Sequence, residues 1–264
     1  MHTASGHAAP ATPAGHTAPP LIAHRGNALE YPENTLPAFE SALRLGVRHV
    51  ELDVQLSRDH VPFVLHDAEL TRTCGIGGNV WEKTAAELRQ VEAAETARLG
   101  AAHAGTPLPE LAGALEMMHR WPDATLFVEI KTESIDRFGL QTVLRAVLDA
   151  LAARPGRWVV ISFDYEAVAQ ARALAALPIG WVLTRYDDAS ADRARALAPD
   201  YLFCNWQKFP TQQPLWQGPW RWCSYEVREA GRARSLLAHG VELIETMAVR
   251  QLCEAFGAGA GAPA

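Results

Sequence analysis

The segment Val47-Arg-His-Val-Glu-Leu-Asp-Val-Gln-Leu56, followed after Ser57-Arg-Asp-His60 by Val61-Pro-Phe-Val-Leu-His66-Asp67, decides how the chain folds. At a strand's period of two, Val50, Leu52, Val54 and Leu56 fall on one face, and Glu51, Asp53 and Gln55 on the other. The polar residues 57–60 predict a turn that folds the second run back antiparallel. A turn centred between Arg58 and Asp59 sets His66 opposite Glu51 and Val64 opposite Asp53. Direct cross-strand partners share a face, so Glu, Asp and His converge on one small volume. Two carboxylates fixed side by side repel, and a divalent cation is the common compensation. A solvated edge hairpin would have no need of acids embedded among valine and leucine.

With 264 residues, 48% of them hydrophobic, the chain can bury a sizeable core as one large domain. A formal net charge of -6 and the lack of any basic run exclude nucleic acid as the expected partner. Cys74, Cys204, Cys223 and Cys253 stand far apart, which argues against a disulfide framework or a zinc ribbon and for a reducing, cytoplasmic location. Residues 1–20 lack the basic start and apolar centre of a signal peptide, and no apolar run reaches the length of a membrane span. They are expected to form a disordered low-complexity tail, its His2, His7 and His16 too irregularly spaced for a metal site, and 257–264 a flexible end.

Between the tails, short apolar strands alternate with Ala/Leu/Arg-rich helical stretches. Strands are expected at 21–24, 47–56, 126–131, 158–162, 180–184, 201–205, 220–224 and 241–245, with 61–66 as an arm on the second. Asn34-Thr35 caps a helix that carries Pro37 in its first turn and runs to about Leu45. A helix from 109 to His119 precedes the third strand. Residues 67–106 break the rhythm with a glycine-rich loop at 71–78 and a short helix from Thr84, and read as an insertion within a single domain spanning 21–256. Eight strand–helix units in a chain of this length predict a closed (β/α)₈ TIM barrel, with a doubly wound open sheet as the alternative.

Barrel enzymes gather their reacting groups at the C-terminal ends of strands. His24-Arg25-Gly26, Glu51 with Asp53, His66-Asp67, and Glu129 with Lys131 all fall there. Three carboxylates make an oxygen-ligand set for Mg²⁺ or Ca²⁺ rather than for zinc. Arg25 and Lys131 suit a phosphate diester bridging metal and side chains. His24 and His66 supply an acid and a base that titrate near neutral pH. His49, His60, His103, His119 and His239 have no such company.

These residues resemble the glycerophosphodiester phosphodiesterase family. The likeness runs in order through Ala23-His-Arg-Gly26, Pro32-Glu-Asn-Thr35, Glu51-Leu-Asp53, His66-Asp67 with Leu70 and Arg72, Glu129-Ile-Lys131 and Ser162-Phe163. It implies Glu51, Asp53 and Glu129 as ligands of one divalent cation, His24 and His66 as acid–base catalysts, and Arg25 and Lys131 as phosphate holders. The implied activity is hydrolysis of a small-molecule glycerophosphodiester to glycerol 3-phosphate and an alcohol. Trp222-Cys-Ser-Tyr225 and the segment 240–247 depart from the family's patterns, which leaves substrate choice open. Two other readings remain: a phospholipase D-like activity on lysophospholipids or sphingolipids, with Trp206, Phe209, Trp216, Trp220 and Trp222 as an apolar rim, and a non-catalytic barrel that binds a phosphodiester.

Overall fold

The computed structural model describes residues 18–210 and 213–257. The tail expected over 1–20 and the end over 257–264 fall outside these, except at 18–20 and 257. The strands are β1 (Leu21–Ala23), β2 (His49–Leu56), β3 (Pro62–Val64), β4 (Thr125–Ile130), β5 (Trp158–Ser162), β6 (Ile179–Val182), β7 (Tyr201–Asn205), β8 (Arg221–Tyr225) and β9 (Leu243–Thr246). β1, β2, β4, β5, β6, β7, β8 and β9 pair in that order, all parallel, and β9 returns to β1. The sheet is therefore a closed eight-stranded barrel with helices around it, the (β/α)₈ fold, and the open sheet is excluded.

Alternation along each strand separates two cores. Val50, Leu52, Val54 and Leu56 of β2 face outward and are fully buried beneath the helices with Leu126, Val128 and Ile130 of β4. Each such side chain contributes roughly 1.5–3 kcal/mol by leaving water. Ile22, Phe127, Val159, Ile161, Val182, Phe203, Cys223 and Leu243 fill the barrel interior. Phe127 meets Tyr201 and Phe203 edge to face, with centroids 4.9 and 5.6 Å apart. Gly180 makes room for this packing, since a Cβ there would stand 2.8 Å from Ile161 and 3.0 Å from Phe203. Two residues further along several of these strands, the inward positions turn polar: Phe127 gives way to Glu129, Ile22 to His24, Leu243 to Glu245. The floor is apolar and the mouth is charged.

The arm on β2 is antiparallel as expected, but its register differs. Val64 pairs with Val54 and Phe63 with Gln55, so the expected pairings of Val64 with Asp53 and His66 with Glu51 are not formed. The loop holds three residues, with Ser57 N–H bonded to Val61 O at 3.0 Å and His60 at φ 63°. A left-handed third loop residue of this kind adds the unit that moves the pairing by one. In a regular strand that slip would turn His66 to the wrong face. β3 instead ends at Val64, the chain bends away, and His66 reaches the barrel mouth from a loop.

Residues 71–78 differ from the expected loop: Thr71–Cys74 forms one helical turn, closed by Gly75 at φ 69°. Thr84 caps the short helix Ala85–Leu88 through a reciprocal bond with Glu87. Phe63, Leu65, Leu70, Val80, Ala85 and Leu88 gather into an apolar cluster of their own beneath this region. Thr35 stands at the N-cap of the helix Leu36–Arg44, yet its hydroxyl donates to Pro32 O at 2.6 Å rather than capping. Asn34, the other expected cap, serves the site described next.

Candidate active site

The chain leaves β1 in a turn that only an unusual backbone allows. Arg25 sits at φ 56° and Gly26 at φ 81°, and a Cβ on Gly26 would stand 2.7 Å from Ala38 in the helix Leu36–Arg44. A left-handed arginine costs of order 1–2 kcal/mol, which its bonds must offset. Its N–H donates to Glu51 Oε2 at 3.0 Å, and its guanidinium pairs with Asp53 Oδ2 at 3.2 Å and Glu33 Oε1 at 3.1 Å. His24 brings Nε2 to 4.0 Å from Glu51 Oε2.

Asp53 is the best-held acid. Asn34, itself at φ 59°, donates from Nδ2 to Asp53 Oδ2 at 2.8 Å and accepts the Asp53 N–H at 3.2 Å. Lys131 Nζ lies 3.3 Å from Asp53 Oδ1 and donates to Glu129 Oε1 at 2.8 Å. Burial would raise the Asp53 carboxyl, but Lys131 and Arg25 outweigh it and hold the group well below its ordinary range. Glu51 and Glu129 move the other way, raised by burial and then by Asp53. Burial, then the neighbouring Arg25, lowers His24 to about 3, so this imidazole is neutral at pH 7.

His66 is oriented from behind. Its Nδ1 lies 2.6 Å from Asp67 Oδ1, which with Nδ1 as the donor leaves Nε2 for the cavity. Arg72 donates to Asp67 and, through Nη2, to Glu33 Oε1 at 2.6 Å. Gln55, on the same inward face of β2, donates to the His66 carbonyl at 3.0 Å and accepts from Ser134 Oγ at 2.5 Å. His24, Arg25, Asp53, His66, Glu129 and Lys131 line one cleft. Glu51 stands against it.

Glu51, Asp53 and Glu129 each bring a carboxylate oxygen within 4.8 Å of the others. Glu51 Oε1 is buried and has no hydrogen-bond partner among the described residues. An orphaned carboxylate oxygen in an all-oxygen donor set fits a hard divalent cation, and would lose its desolvation penalty on binding one.

Residues 24–217 match the model of the glycerophosphoryl diester phosphodiesterase family. The chain belongs to this family. Among similar proteins, the glycerophosphodiester phosphodiesterase of Caldanaerobacter subterraneus subsp. tengcongensis is 37% identical over 112 residues, 42% of this chain and 45% of that one. That of Bacillus altitudinis is 34% identical over 152 residues, 56% of this chain and 60% of that one. The chain thus spans between 45% and 60% of the length of these curated relatives. An Oleispira antarctica phosphodiesterase, solved in complex with the product sn-glycerol-3-phosphate, superposes with a TM-score of 0.80 at 24% identity, covering 90% of this chain and 96% of that one. A putative glycerophosphoryl diester phosphodiesterase from Silicibacter pomeroyi gives 0.75 at 22%, covering 90% and 93%. At such identities the likeness is one of fold.

Within this family fold, the seven expected site residues come together at the mouth. The apolar rim that the phospholipase D-like alternative needs does not form. Phe209, Trp220 and Trp222 are buried, Trp216 stacks on Tyr186 at 3.9 Å, and Trp206 lies under Arg232. These aromatics pack the outer core, and the lipid-surface reading loses its support. Among the described residues no helix is long and apolar enough to cross a membrane. Sequence reasoning missed Asn34, assigned to a cap, and Glu245, whose inward place on β9 was legible from the same alternation that revealed Glu51. Gln55 shared the acids' face and was passed over.

Proposed function

We propose that the chain hydrolyses glycerophosphodiesters to glycerol 3-phosphate and an alcohol. The observation that carries this reading is the meeting, in one cleft, of two differently held histidines with a lysine, an arginine and an acidic cluster. Arg25 and Lys131 hold the anionic phosphate, the arginine by its planar fork and the lysine as a point charge. His24, neutral because it is buried beside Arg25, takes the proton from the attacking oxygen. His66 gives a proton to the leaving alkoxide, with Asp67 2.6 Å away to steady the positive charge it carries before transfer. Glu51, Asp53 and Glu129 would hold one divalent cation, Mg²⁺ or Ca²⁺, which supplies charge stabilisation at the phosphate oxygens. The four free cysteines agree with a cytoplasmic setting, which we include in the proposal.

The test is release of glycerol 3-phosphate from glycerophosphocholine by the purified protein, with Mg²⁺ or Ca²⁺ and then with EDTA. Release that EDTA stops is expected. No release from any glycerophosphodiester overturns the reading, and release indifferent to EDTA overturns the cation.

A further inference from the structure

The insertion after β3 holds a buried acid that the proposed chemistry leaves unused. Glu95 stands at the N-cap of the helical turn Thr96–Leu99, is 3% exposed and has a left-handed backbone, φ 44°. Glutamate in that conformation costs free energy where glycine would not, and burying its carboxylate adds to the cost. Its contacts offset this. Oε2 accepts the Glu33 N–H at 2.8 Å, Oε1 lies 3.7 Å from Arg72 Nη1, and Arg98 Nε donates to Oε1 at 3.2 Å. The Glu95 N–H donates to Thr73 O at 3.0 Å, which ties its backbone to the turn that carries Arg72.

Two of these contacts lead into the cleft. Arg72 meets three carboxylates with three different nitrogens: Asp67 with Nε, Glu33 with Nη2 at 2.6 Å, and Glu95 with Nη1. A planar guanidinium fixed at three corners cannot rotate, and the Asp67 that it holds is the one 2.6 Å from His66 Nδ1. Glu33 in turn pairs with Arg25. Glu95 is thereby joined to His66 by one route and to Arg25 by the other. The same segment also takes three successive carbonyls of the loop after Arg25. Arg98 donates to Leu29 O and Tyr31 O at 3.3 and 2.9 Å, and His103 Nε2 to Glu30 O at 3.0 Å. Residues 95–103 therefore clasp the loop that carries Glu33 and Asn34.

We propose that Glu95 is a positioning residue for the proton donor His66. Its charge fixes Arg72, Arg72 fixes Asp67, and Asp67 aims the imidazole at the leaving oxygen. The proposal rests on the hydrolase reading above, with His66 as its acid. A role in folding alone is the alternative. That role would lower stability and would slow turnover equally whatever the leaving group.

Glu95→Gln separates the two. Its amide oxygen still accepts the Glu33 N–H, so the route to Arg25 is kept, while the charge facing Arg72 is lost. On glycerophosphocholine kcat should fall about tenfold with KM changed by less than about twofold, the mark of a group misplaced only in the transition state. On a nitrophenyl phosphodiester, whose leaving group needs little protonation, kcat should stay within about twofold of the wild type. Glu95→Ala, which also frees the Glu33 N–H, should raise KM as well; if it fails to fold, Glu95→Gln still decides. Independently of turnover, the His66 Nδ1–H held by Asp67 should give a downfield proton resonance in the wild type that is broadened or lost in Glu95→Gln. Equal loss on both diesters, no loss on either, a wild type without that resonance, or a resonance unchanged in Glu95→Gln overturns the proposal. If the wild type cleaves neither diester, the hydrolase reading fails; if His66→Ala slows both diesters equally, the assignment of His66 as the acid fails. In either case the resonance alone decides whether Glu95 orients the ring.

Discussion

Asn34→Ala isolates the group that holds the most constrained acid in the molecule. Asn34 donates to Asp53 Oδ2 at 2.8 Å and accepts the Asp53 N–H at 3.2 Å, and both residues are buried. The bond to the carboxylate is charge-assisted and worth about 1.5–3 kcal/mol, the second about 1 kcal/mol. Alanine at the observed φ of 59° adds strain of about 1 kcal/mol. A loss of about 4 kcal/mol should lower Tm by roughly 8–16 °C in a domain of this size. Thermal unfolding of Asn34→Ala, Asp53→Ala and the double variant closes a cycle in which the strain cancels, since it is present with or without Asp53. The coupling left over should be about 2 kcal/mol. A coupling below about 0.5 kcal/mol would refute the view that Asn34 acts through Asp53.

His49 lies half-buried against Phe127, and desolvation, then Arg221, lowers it to about 4, below its unfolded 6.5. The unfolded state therefore binds more protons between those values, and this residue's contribution to stability falls as pH drops from 6.5 towards 4. Urea midpoints of His49→Gln should accordingly lose less between pH 7 and 4.5 than those of the wild type, and identical losses would contradict the assignment. Saturating divalent cation, at about 100 times its dissociation constant, should stabilise the wild type by about 2.7 kcal/mol, and Glu51→Gln should lose most of that shift in a thermal melt. An unchanged shift would remove Glu51 from the cation site. His24→Ala and His66→Ala should each slow turnover about 10²–10⁴-fold. A nitrophenyl phosphodiester, whose leaving group needs little protonation, should rescue His66→Ala far more than His24→Ala, and equal rescue would defeat the division of proton transfer.

The barrel was legible because its signal is repeated. Eight short apolar runs separated by helical stretches specify the same unit again and again, so errors of a residue or two at strand ends, as at β6 and β8, leave the topology unaffected. The acids on β2 and β4 were legible for a different reason: a carboxylate in a strand of valine and leucine has no structural purpose, and its face follows from the period alone. Asn34 was misread because an asparagine before a helix has a sufficient local explanation as a cap. What overrode it was Asp53, a residue distant in sequence whose bonds to Asn34 have no local pattern.

The arm shows where periodicity stops being a guide. His66 was placed in the cleft by a register that the structure does not adopt, and it is in the cleft nonetheless. The hydrophobic pattern sets β3 only as far as Val64, after which hydrogen bonds set the path: Leu65 N–H to Asp53 O at 3.0 Å and Gln55 Nε2 to His66 O at 3.0 Å. Both anchors come from residues of β2 whose side chains face inward, as that of Glu51 does. One strand therefore supplies two of the three acids and fixes the backbone that delivers the histidine, while Asp67 and Arg72 fix its ring from the other side. A histidine mounted on a continued β3 would have its face set by every residue of the pairing, and a one-residue change in loop length would remove it from the site. Mounted past the end of the strand, its position depends on a few specific bonds, which tolerate the three-residue loop found here.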